Sequence, residues 1–122
     1  MLLYKYHNTP QLTAYSDGPA GKNAKAIQKA LDDWNSKTWH HYAMCWTPDQ
    51  ITLYVDGEEA GQSSRAEPVA EDWKYFTIGR DGFTPEGGHC AFDELRLYDK
   101  PLTPEQVSAL FAAGGSVKKK VK

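Results

Sequence analysis

The dipeptide Asp56-Gly57 constrains this chain more than any other feature of its sequence. It stands between Ile51–Val55, where Ile51, Leu53 and Val55 alternate with Thr52 and Tyr54, and the polar run Glu58–Ser63. A two-residue type I′ turn needs positive φ at both central positions, which Gly adopts without steric cost and Asp tolerates. The pair therefore predicts a tight antiparallel hairpin, with Glu58–Ser63 returning beside Ile51–Val55. An apolar strand face of that kind must be covered by a second layer, so the rest of the chain has to supply one.

Further runs with the period of two expected of half-buried strands are present. Leu2–His7 and Leu12–Ser16 are separated by Asn8, Thr9 and Pro10 and read as a hairpin. In Trp39–Trp46, alternation places Trp39, His41, Ala43 and Cys45 on one face and His40, Tyr42, Met44 and Trp46 on the other. Both faces are bulky, as in a central strand. Trp73–Ile78 reads as a strand, and so does His89–Tyr98, with Asp93, Leu95 and Leu97 opposed to Phe92, Glu94, Arg96 and Tyr98. The stretches Ser16–Asn23, Ser64–Asp72 and Gly79–Gly88 carry the breakers of loops. Local propensity favours a helix in Ala24–Asp33, although its surroundings are strands. Thr103-Pro104-Glu105-Gln106 supplies an N-cap, a proline in the first turn and an acidic start, followed by Val107, Leu110 and Phe111 at helical spacing and a stop at Gly114. The expected architecture is all-β: an antiparallel two-sheet sandwich with one short C-terminal helix.

Size and charge narrow the function. A chain of 122 residues fits one domain. Its 14 Lys and Arg against 16 Asp and Glu leave a formal charge of −2, too weak a field to hold a nucleic acid. The basic cluster Lys118, Lys119, Lys120 and Lys122 reads as a flexible tail over 114–122, after a domain spanning 1–113. No apolar run reaches the ~20 residues of a membrane span, and MLLYKYHNTP does not have the pattern of a signal peptide. Cys45 and Cys90 are the only cysteines, which gives no disulfide framework; two free thiols are the default, and a bond between them stays open.

The order ALDDWNSKTWHHYAMCW, ITLYVDGEEAG, FTIGRD and FDELRLYDKPLTPEQVSALF closely resembles the laminin-G-like and pentraxin-like branch of concanavalin A-like jelly rolls. The resemblance covers roughly residues 29 to 112. It implies a jelly-roll sandwich, makes Ala24–Leu31 a strand, and implies family strands ahead of Met1. On that expectation the domain is incomplete at its N-terminus, and a partner chain could cover the N-terminal sheet edge. The resemblance also implies an extracellular or cell-surface setting and a structural calcium role for Asp93. The opening residues that would complete such a site are missing, and the alternative for Asp93 is a hydrogen-bonded carboxylate on the core face.

Catalysis finds no support in the residues. Glycoside hydrolysis needs two carboxylates about 5 to 10 Å apart across a bond, and no Glu-x-Asp-x-x-Glu run occurs. Asp32-Asp33 and Glu58-Glu59 are adjacent, so their side chains diverge in extended structure. His40 and His41 diverge likewise and cannot share one ion. The chain is therefore expected to be a recognition or adhesion module for a carbohydrate or a protein surface, not an enzyme. Candidate ligand contacts are Tyr54, Glu94, Arg96 and Tyr98 with Asp81 and Phe83 of the glycine-rich loop. Alternatives are an assembly subunit completed by a partner chain and a degenerate glycoside hydrolase.

Overall fold

A computed structural model describes residues 2–5, 11–16, 25–31, 38–65, 77–79 and 91–114. Its elements run β1 (Leu2–Lys5), β2 (Gln11–Ser16), β3 (Lys25–Ala30), β4 (Tyr42–Trp46), β5 (Gln50–Val55), β6 (Glu58–Ser64) and α1 (Pro104–Ala113). They form two antiparallel three-stranded sheets, ordered β1-β2-β3 and β4-β5-β6. The expected hairpin joins β5 to β6, with Asp56 at φ 53° and Gly57 at φ 85°, the left-handed pair its turn requires.

The two sheets face each other across one core. Leu12, Ala14, Ile27 and Leu31 from the first sheet and its margin meet Ile51, Leu53 and Val55 from the second. Leu3, Tyr42, Met44, Trp46 and Ala60 close its rim. The layers come nearest at β3 and β6. There the register steps from Leu53–Gly61 to Tyr54–Glu59, leaving Ala60 as the extra residue of a bulge. A β-carbon on Gly61 would lie 2.9 Å from Ile27 Cγ2, so only glycine permits this approach.

The outer face of the second sheet carries α1. Val107 is fully buried there, and Cys45 Sγ lies 3.8 Å from the Leu102 carbonyl. The helix begins with a complete capping box: Thr103 accepts from the Gln106 backbone, and the Gln106 side chain accepts from the Thr103 backbone. It ends at Gly114, whose N–H bonds to the Leu110 carbonyl.

Several expectations need correction. β3 is the strand that the family resemblance implies for this stretch, and the helix favoured by local propensity alone is the reading that fails, because pairing with β2 and burial of Ile27 outweigh tenths of a kcal/mol per residue. Among the described residues β4 is an edge of its sheet, and its two bulky faces reflect two coverings, the sandwich core on one side and Leu102 with α1 on the other. Residues 91–98 belong to no strand. Phe92, Leu95 and Leu97 are 60%, 62% and 76% exposed, and Asp93 is exposed with them instead of lying in the core. Alternation had assigned these residues to faces, but no neighbouring strand among the described residues receives them. Thr77 and Ile78 likewise carry no strand. The remainder of the Trp73–Ile78 strand, most of the predicted loops, Cys90 and the basic tail lie outside the described residues. Cys45 is a free thiol.

Candidate functional site

In β1, β2 and β3, the residues Leu3, Leu12, Ala14 and Ile27 point into the sandwich. Strand alternation then turns the intervening side chains to the opposite face. One cross-strand row on that face is Tyr4, Thr13 and Gln28, and the next is Leu2, Tyr15 and Ala26. Gln11 and Ala30 form the third row. Gln11, Ala26, Gln28 and Ala30 are exposed, Leu2, Tyr4 and Tyr15 are half-buried, and Thr13 is buried between its neighbours.

None of these side chains is charged at neutral pH. Lys5 and Lys29 of the same strands fall on the other parity. The face thus combines two phenol rings, two primary amides and a hydroxyl without a fixed charge. Tyr4 and Tyr15 are diagonal neighbours on adjacent strands, about 7–8 Å apart at the backbone. Aromatic faces stack on apolar C–H surface, while amides and hydroxyls both donate and accept hydrogen bonds. Sequence reasoning missed this face. Its signal was present in the alternation of LLYK and QLTAYS, but could be used only once the core-facing parity was known.

The residues singled out from sequence are not assembled into one site. Tyr54 is only 4% exposed, because α1 covers the sheet face on which it stands, so no ligand reaches it. Burial pushes its phenol above the ordinary value, with Cys45, Glu59 and Glu105 adding to the shift. Asp81 and Phe83 lie outside the described residues. Glu94, Arg96 and Tyr98 do stand together on the exposed segment: Arg96 Nη2 donates to Glu94 Oε2 at 2.6 Å, and Tyr98 lies beside the pair. Glu94 first, and then Tyr98, hold the guanidinium pKa above its ordinary value. Glu94 itself sits at φ 53°, a left-handed conformation that costs a non-glycine residue about 1–2 kcal/mol.

The calcium site that the resemblance implies would need oxygens beyond the Asp93 carboxylate. A calcium ion takes 6 to 8 oxygens. Asp93 Oδ1 already accepts from the backbone N–H of Glu94 at 2.9 Å. No group of three or more Asp, Glu, His or Cys side chains gathers around it or elsewhere among the described residues.

The histidine pair has a structural role. Asp56 bridges both residues, accepting from the His41 backbone N–H at 2.9 Å and meeting His40 Nδ1 at 2.9 Å. Asp56 N–H returns a bond to the His41 carbonyl at 2.8 Å. The His41 ring packs against Phe111 of α1 with centroids 6.0 Å apart. Burial lowers the His41 pKa below 6.5; Asp56 opposes this shift and Arg96 adds to it. Beside this contact, Gly57, Pro104, Glu105, Ser108, Ala109 and Ala112 line a shallow groove of about 540 Å³.

A laminin G family model, described as the concanavalin A-like lectin/glucanases superfamily, matches residues 2–108. Beta-1,3-glucan-binding protein 1 of Galleria mellonella is 44% identical over 46 residues, which is 37% of this chain and 9% of that protein. The chain thus spans only a small part of that relative. A solved S-layer domain-containing protein (residues 221–444) from Clostridium thermocellum ATCC 27405 shares the fold with a TM-score of 0.58. That match is 20% identical and covers 83% of this chain and 51% of the other. No helix among the described residues is long and apolar enough to cross a membrane. With two facing antiparallel sheets, a capped closing helix and a family match over nearly its whole length, the chain belongs to the concanavalin A-like lectin/glucanase superfamily.

Proposed function

We propose that this chain is a non-catalytic carbohydrate-recognition module that lays a neutral glycan across the outer face of β1, β2 and β3. The observation that carries this reading is the uncharged set Tyr4, Gln11, Tyr15 and Gln28, arranged by the strand register on one face. Sugar rings offer C–H surface on their faces and hydroxyls around their rims. Phenol rings complement the former, and amides the latter. The β-1,3-glucan binding named for the Galleria relative favours a neutral glucan as ligand. The same face supports binding without turnover, since none of those side chains is a carboxylate that could protonate a leaving group. Family membership favours an extracellular or cell-surface setting for such recognition.

The test is calorimetric titration of the chain with soluble β-1,3-glucan oligosaccharides. Tyr15→Ala and Gln28→Ala should each weaken binding several-fold, and the pair by about tenfold or more, at a temperature where melting curves show every variant folded. Tyr15→Phe should keep most of the affinity, because the ring face remains. Absence of binding by the unaltered chain, or full affinity in the doubly substituted one, would overturn the reading.

A further inference from the structure

We propose that α1 is a pH-released latch: protonation of His41 promotes undocking of this helix from the second sheet while the sandwich itself stays folded. The helix is held by few contacts. Of its ten residues only Val107 is fully buried, and Leu110 and Phe111 are half-buried. A helix of that length is marginal in water on its own, so docking decides whether it persists. Elements anchored in this way are the ones that open locally. Release bares the outer face of the second sheet, with Tyr54 on it, that α1 otherwise closes.

Phe111 has two neighbours at the turn. One is Gly57, where a β-carbon would lie 2.9 Å from its Cδ1, and the other is the His41 ring, at 6.0 Å between centroids. The His41 backbone is fixed from both ends by Asp56, which accepts its N–H at 2.9 Å and donates to its carbonyl at 2.8 Å. Only the ring is left to respond to a proton. Its Nδ1 is buried and meets no partner among the described residues. A neutral imidazole can leave that nitrogen as a bare lone pair, but an imidazolium carries an N–H on both nitrogens. A buried charged donor without an acceptor is the more costly of the two. The ring escapes this cost by turning out to water, which withdraws one of the contacts that hold Phe111.

The surrounding charges do not offset the effect. Burial holds the His41 pKa below 6.5, and Arg96, facing the ring from the 91–98 segment, adds to the shift. Asp56 opposes it, but its two carboxylate oxygens are already engaged by the His41 N–H and the His40 ring. His40 itself falls on the opposite parity, stacked with Tyr42 at 6.2 Å. From α1 the ring meets Phe111, and the one charged side chain of that helix, Glu105, is in its first turn. Bonds to its own backbone and to Thr103 hold the Glu105 carboxyl below its ordinary value, so the helix start does not titrate where His41 does. The docked form therefore binds the proton more weakly than the released form, and by linkage a falling pH favours release.

Hydrogen exchange of the whole chain, read as protection factors at each amide, tests the proposal. Between about pH 7.5 and about pH 5.5 the opening of Leu110–Ala113 should rise several-fold, through a local event that low urea leaves unchanged. The amides of Ile51–Val55 should stay the better protected at every pH and respond to urea. His41→Leu should abolish the rise while α1 stays docked. If that variant fails to fold, the unaltered chain gives a second reading: the rise should level off once NMR shows the His41 ring protonated. Equal protection of α1 and β5 overturns the proposal, because the helix would then leave only with global unfolding. So does an opening that ignores pH, a rise that persists in His41→Leu, or one that continues beyond the titration of the ring.

Discussion

The Phe111 ring occupies the space that a β-carbon on Gly57 would need: the built position lies 2.9 Å from Cδ1 and 3.1 Å from Cβ. The hairpin turn and the closing helix are therefore fitted to each other through the absence of a side chain. Gly57→Ala should destabilise the fold by about 2–4 kcal/mol, combining the left-handed backbone term with the overlap. In a Phe111→Ala background the same substitution should cost clearly less, leaving mainly the backbone term. Equilibrium denaturation of the four proteins measures the coupling.

Asp56 holds the opposite side of that turn. Asp56→Ala removes the acceptor for the His41 N–H and for the His40 ring, and introduces a side chain less tolerant of positive φ. We expect a loss of about 2–3 kcal/mol. Asp56→Asn, which keeps an acceptor and tolerates the left-handed region, should lose about half as much. Urea midpoints at fixed pH distinguish the two.

His41 makes stability depend on pH in a defined direction. Its folded pKa lies below the ordinary 6.5, mainly because of burial. Above 6.5 the ring is neutral in both states and contributes no slope. As pH falls through 6.5 the unfolded chain takes up the proton first, so stability declines until the lower folded value is passed, then levels off. His41→Leu should flatten this part of the profile, as read from urea midpoints across a pH series.

Leu53 and Leu97 look alike in an alternating sequence, but the structure separates them. Leu53 is fully buried and Leu97 is 76% exposed. Leu53→Ala should cost about 2–5 kcal/mol, and Leu97→Ala, measured at high dilution, no more than about 0.5 kcal/mol. A large loss at Leu97 in dilute solution would show that the segment is packed within the chain.

These contrasts mark what the sequence could disclose. Local chemistry was readable: Asp56-Gly57 set a turn, and Thr103-Pro104-Glu105-Gln106 set a helix start, because backbone preference and capping act within a few residues. Lys25–Ala30 was not readable from propensity alone, since its conformation follows from a partner strand whose paired residues lie 9 to 19 positions away. Tyr54 was misplaced for a related reason. Alternation shows which residues share a face, but only α1, distant in sequence, decides that this face is closed. Leu95 and Leu97 give the reverse case: they have a core pattern without a described layer over them. The Tyr4 and Tyr15 face lay within reach of the pattern, yet choosing it required knowing that Leu12 and Ala14 turn inward.

The segregation of charge between the two surfaces has a practical consequence. Contacts on the neutral sheet face have no ionic atmosphere to displace, so added salt should leave glycan affinity nearly unchanged. The Glu94–Arg96 ion pair joins exposed groups and is screened, over about 8 Å at physiological ionic strength and about 3 Å in molar salt. Ionic strength can then loosen the one contact while sparing the other, and a single salt titration reads the two surfaces independently.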